Sequence, residues 1–220
     1  MIYLLVFILQ IVILYFLSRK VVNKVYGLFY RITKNKKWAT YLFAILFLPG
    51  TFLHEAAHFL AALFLLVPVG QIELMPQEEG GHLKMGSVPI GKTDSLRRLI
   101  IGSAPLLLGI SIIFASLGLA QSKNLTTNPG IILFLSWLTF EVGNTMFSSK
   151  KDLEGAWVFF VVLALTLLLL RFLGISISIN VESEIIKKAS IFLLVPIVID
   201  SLILFLFRIA VIYLPSHGQD

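Results

Sequence analysis

Six stretches of the chain are apolar over about the length a helix needs to cross a hydrocarbon layer, roughly 20 residues. They lie near 1–18, 40–67, 99–119, 131–147, 153–173 and 190–213. The pattern predicts an all-α polytopic membrane protein of about six transmembrane helices. The first stretch has no basic residue before it and no small-residue cleavage site after it, so it reads as a helix and not as a signal peptide. The second is too long for one straight crossing. Pro49-Gly50 interrupts it, which predicts a kink or a fresh helix start near Thr51.

Polar positions gather in two places. Between Ser18 and Ala39 lie seven of the 18 Lys and Arg residues, with no acidic residue among them. This segment reads as a basic juxtamembrane loop facing anionic headgroups of the lipid bilayer. The second is VGQIELMPQEEGGHLKMGSVPIGKTDSLRR, Val69 to Arg98. Its glycines and prolines predict two short strands, Gln71–Met75 and His82–Met85, around an EEGG turn. Together they suggest one membrane domain, 1–220. It comprises an N-terminal helix and basic loop (1–39), a core (40–173) and a C-terminal loop and helix (174–220).

Composition agrees: 58% of the residues are hydrophobic and 14% charged, too little polar surface for a soluble domain of this length. The net charge of +6 is placed mostly in the 19–37 cluster, so nucleic acid is not the expected partner. No cysteine is present, which excludes disulfides, thiolate metal sites and a cysteine nucleophile. If 19–39 is cytoplasmic, eleven basic residues share its side and six lie opposite. The positive-inside rule then places the N-terminus outside.

One apolar run carries chemistry. In FLHEAAHFLAALFLL, Phe52 to Leu66, the order His54-Glu55-Ala56-Ala57-His58 fits H-E-x-x-H. Residues four apart share a helix face, so both imidazoles can reach one metal ion, here Zn2+. Glu55 is placed to take a proton from water. A catalytic zinc site has three protein ligands and one open position. The third ligand must come from His82, His217 or a carboxylate. Glu141, Asp152, Glu154 and Asp200 lie in or beside spans, where an ionisable residue is a functional hypothesis by default. Three of them also have an ordinary alternative: a helix cap for Asp152, a bond within the bundle for Glu141, a structural or gating partner across helices for Asp200.

The chain resembles the site-2 protease family of intramembrane zinc metalloproteases as a divergent member. HEAAH carries the resemblance. Asn144 stands eight residues before Asp152, as in the family's N-x-x-P-x-x-P-L-D-G segment, and GSAPLLLG, Gly102 to Gly109, is reminiscent of its A-G-P motif. Phe147 and Lys150 replace the two prolines, and Leu153 replaces the last glycine. A shifted register would offer Glu154 instead of Asp152. The resemblance implies a metalloendopeptidase with His54, His58 and Asp152 as zinc ligands and Glu55 as general base. Asn144 would hold substrate backbone or stabilise the oxyanion. The implied partner is a transmembrane protein substrate, unwound and paired with a strand of the 71–92 segment. In that family the loop after the HExxH helix commonly faces the cytosol, opposite to the charge count.

Three rivals stand beside this reading. A metal-ion transporter would use His54, His58 and acidic residues as transport ligands. An inactive relative would bind membrane partners only. A different membrane zincin would use Glu141 as third ligand.

Overall fold

The computed structural model describes residues 2–74, 77–79, 82–84, 86–123, 125–147 and 183–213, with the single positions Leu165 and Phe172. Among them are the helices α1 (Ile2–Thr33), α2 (Lys36–Leu46), α3 (Leu48–Phe64), α4 (Ser95–Ser122), α5 (Pro129–Thr145) and α6 (Ser183–Tyr213). Strands β1 (Gln77–Glu79) and β2 (His82–Lys84) lie between α3 and α4, and a short 3-10 turn, Leu125–Thr127, precedes α5. The expected span 153–173 falls outside the described residues but for Leu165 and Phe172.

Three of the helices, α1, α4 and α6, are long and apolar enough to cross a membrane, and α2 with α3 makes a fourth if the bent pair counts as one span. These are the helices of a membrane protein. Their surfaces agree: Leu5, Leu9, Phe16, Phe205 and Leu206 are exposed on α1 and α6, as side chains facing hydrocarbon should be. Buried polar residues lie inside instead, including Glu55, His58, Thr139, Glu141, Asn144 and Asp200.

The basic segment is not a loop. α1 runs through it to Thr33 and α2 begins at Lys36. Arg and Lys are good helix formers and Gly27 is the sole glycine before Gly50, so positive charge alone did not end the helix. Thirty-two residues make about 48 Å of helix, against about 30 Å of hydrocarbon. Asn35 then caps α2, accepting from the N–H groups of Lys37 and Trp38. Val21 and Val25 of α1 pack with Phe43 and Phe47, and Phe207 of α6 closes this cluster.

The break in the second apolar run is at Phe47, not at Pro49-Gly50, and the axes of α2 and α3 differ by 70°. Pro49 sits in the first turn of α3. There its missing N–H costs nothing and its fixed φ suits the helix, so the helix starts before the proline. The histidine motif therefore falls in the second and third turns of α3.

The polar segment after α3 folds back as an antiparallel ribbon. Gly70 and Gly91 donate to Pro89 and Pro68, each at 2.8 Å, and Glu73 exchanges two backbone bonds with Ser87. Beyond them β1 pairs with β2, Glu79 opposite His82. The first strand is thus Gln77–Glu79 and not Gln71–Met75. Of that expected strand, Glu73 makes an isolated bridge and Met75 lies outside the described residues. In sequence only Gly80 and Gly81 separate the two strands. Glu78 and Glu79 extend the strand rather than the turn.

α5 is the hub. It touches α1, α3, α4 and α6, and small residues let its C-terminal turn approach them. A Cβ on Gly50 of α3 would lie 2.5 Å from Thr145 Oγ1 and 2.8 Å from the Glu141 carbonyl oxygen. One on Gly109 of α4 would lie 2.5 Å from Met146 Cβ. Gly143 packs against Pro196 of α6. Leu14, Ile113, Val142, Met146 and Leu193 fill the core between these helices.

Candidate metal centre

α3 presents His54 and His58 one turn apart, and two neighbouring helices fix their rings. His54 Nδ1–H donates to the Thr145 carbonyl of α5 at 2.6 Å. His58 Nδ1–H donates to the Ile101 carbonyl of α4 at 2.8 Å. A carbonyl cannot donate, so each Nδ1 carries the proton. The two Nε2 atoms lie 3.2 Å apart.

Neutral rings in this arrangement would point two lone pairs at each other. A cation between them, a metal ion or a shared proton, removes the conflict. Two imidazole nitrogens on one tetrahedral zinc, at about 2.0–2.1 Å each, stand about 3.3–3.4 Å apart. Metal-bound histidines also typically give their second ring nitrogen to a carbonyl or carboxylate. The donor set therefore fits zinc in spacing and in the partners behind it.

Both carbonyls are available for a reason written in the backbone. Thr145 is the last residue of α5, and the final carbonyls of a helix lack intrahelical donors. Ile101 lies four residues before Pro105 within α4, and proline has no N–H to return.

Glu55 is 7% exposed and His58 3%. The returning leg of the ribbon crosses directly over Glu55. A Cβ on Gly86 would lie 3.0 Å from Glu55 Cγ, 3.1 Å from its Oε1 and 3.0 Å from Thr51 Cγ2. Beside His54, a crevice is lined by Gly50, Leu53, Pro105, Gly109 and Thr145.

The other expected residues separate into three groups. Glu141 is fully buried, and its Oε2 accepts from the Gly50 N–H at 3.3 Å. It caps the start of α3 from a neighbouring helix, since Phe47 provides no side-chain cap. Asn144 turns toward α6: its Nδ2 donates to Asp200 Oδ1 and to the Phe140 carbonyl, each at 2.9 Å. Asp200 is thus the cross-helix partner expected of it, with Asn144 as the group it meets. Asp152, Glu154 and His217 lie outside the described residues, as does the side chain of His82. Among the described residues no third His, Cys, Asp or Glu joins the histidine pair.

Ile101, Thr145 and Gly86 are the site residues that side-chain patterns do not flag. The first two act through backbone oxygens. Only Pro105, four positions after Ile101, leaves a trace of them in the sequence.

No protein-family profile, curated protein or solved structure matches this chain.

Proposed function

We propose that the chain is an intramembrane zinc metalloprotease, similar to the site-2 proteases, that hydrolyses peptide bonds in or near the transmembrane segments of other membrane proteins. The observation that carries this is the convergence of two Nε2 atoms at 3.2 Å, each ring anchored through Nδ1 to a carbonyl, beside a buried glutamate.

His54 and His58 hold the zinc, with Asp152 as the third ligand and Glu154 as its alternative. When bound, zinc supplies a Lewis acid that polarises the scissile carbonyl and acidifies water. Glu55 takes one proton from the attacking water as the C–O bond forms. It returns that proton to the leaving nitrogen as the C–N bond breaks. The Glu55 carboxylate is buried beneath Gly86 of the ribbon. A substrate segment must leave its helix to expose a carbonyl, and the Val69–Ile90 ribbon gives it extended backbone to pair with. Asn144 is assigned here to pairing with Asp200, with contact to substrate backbone left to a rearranged state.

In the full topology this reading counts six spans: α1, the α2–α3 pair, α4, α5, the 153–173 segment and α6. Its N-terminus lies outside by the charge count. Accessibility of a tag inserted near Asn35 in sealed vesicles reports that side.

The test is cleavage of a single-span substrate by the full chain in liposomes, before and after chelation. Loss on chelation and recovery with added zinc support a metalloprotease. Cleavage indifferent to chelator contradicts it. Metal-dependent accumulation inside sealed vesicles without cleavage would favour transport instead.

A further inference from the structure

We propose that Pro105 is a positioning residue for the metal centre: by withholding an N–H from α4 it leaves the Ile101 carbonyl as the acceptor that fixes the tautomer and orientation of His58.

Pro105 is buried in the middle of the 28-residue α4, with helix on both sides. Proline is the least favourable residue in a helix interior, so its presence calls for a local account. In an uninterrupted helix the Ile101 oxygen would accept from residue 105. Here that donor does not exist, and the ring crowds the same carbonyl outward. The oxygen instead takes the Nδ1–H of His58 at 2.8 Å.

The consequence reaches the metal side of the ring. A proton fixed on Nδ1 leaves the Nε2 lone pair facing His54 Nε2. If position 105 carried an N–H, α4 would compete for the Ile101 oxygen. His58 could then place its proton on Nε2 and withdraw the lone pair that a metal needs. Gly102, Pro105 and Gly109 are all buried on α4, so a small-residue face lets this segment approach α3 and α5. Pro105 also lines the crevice beside His54. The metal arm of this inference rests on the metalloprotease reading; the tautomer arm does not.

The experiment compares the full chain in detergent with two variants. P105A restores the N–H. An α-hydroxy acid introduced in place of Pro105 removes the ring yet still offers no N–H. Nitrogen NMR of labelled histidine in the metal-free chain reports whether His58 Nδ1 is protonated, and chelator competition reports zinc affinity. The expected result is a protonated Nδ1 in the wild type and the ester, and a shift of the proton toward Nε2 in P105A. Zinc affinity should fall about 10–100-fold in P105A, as for loss of a ligand's supporting partner, and stay near wild type in the ester. An unchanged Nδ1 signal in P105A overturns the inference, as does an ester that behaves like P105A. If the wild type does not bind zinc while the Nδ1 signal responds as described, the metalloprotease reading fails and the role of Pro105 stands.

Discussion

Asn144 Nδ2 donates to Asp200 Oδ1 across 2.9 Å, joining α5 to α6 over 56 residues of sequence. Asn144 Oδ1 and Asp200 Oδ2 are buried with no partner among the described residues. Removing either side chain leaves the other stranded, which costs about 1–3 kcal/mol. Asn144→Leu and Asp200→Leu should each lower unfolding stability in detergent, and the double variant should lose less than their sum. Asp200→Asn keeps a carbonyl acceptor for Asn144 Nδ2 and should be tolerated better than Asp200→Leu. Full additivity of the two leucine variants would show that the bond contributes nothing.

Glu141 holds the first turn of α3 from a neighbouring helix. Glu141→Gln retains an acceptor for the Gly50 N–H and should fold normally. Glu141→Leu removes the cap, at about 0.5–2 kcal/mol, without emptying the metal centre. Zinc content and thermal unfolding measured on the same samples check both statements. Zinc lost from a folded Glu141→Leu chain would return Glu141 to the ligand set.

Gly50→Ala sets a methyl against the Glu141 carbonyl oxygen and Thr145, backbone and side chain of one helical turn. Overpacking of this kind costs about 1–3 kcal/mol. The strain should part α3 from α5 and lengthen the bond from His54 to the Thr145 carbonyl, so zinc affinity should fall together with stability. Gly86→Ala presses on Glu55 instead. It should slow cleavage while zinc stays bound, and equal loss of both in that variant would contradict this assignment.

The third ligand separates by substitution. Asp152→Ala should release zinc from a folded chain, and Glu154→Ala should keep it. The reverse pattern would establish the shifted register, with Glu154 in the ligand set.

Much of the framework was legible in the sequence because it rests on local patterns. The apolar runs gave α4 and α5 to within about four residues of their observed limits and the end of α6, which starts seven residues earlier than expected, at Ser183. HEAAH falls on a helix with its two imidazoles together. The ribbon was visible through its glycines, although its strand pairing shifted toward Gly80-Gly81. What escaped has physical causes. The basic residues after Ser18 are helix formers as well as charges, so α1 continues where a loop was expected. The fresh helix start expected near Thr51 lies at Leu48, because Pro49 suits the first turn of α3. Asn144 carried two compatible readings, and its partner Asp200 lies on a distant helix. The oxygens that fix His54 and His58 belong to backbone, where residue identity records nothing except by way of Pro105.

The central claim is that this site performs zinc-dependent peptide hydrolysis with Glu55 as the proton carrier. It is tested most directly by Glu55→Gln in the full chain, reconstituted with a single-span substrate, with cleavage rate and bound zinc measured on one preparation. The account predicts zinc bound as in the wild type and cleavage reduced at least about 100-fold, the scale of a lost general base. Undiminished cleavage by the zinc-loaded variant would contradict it.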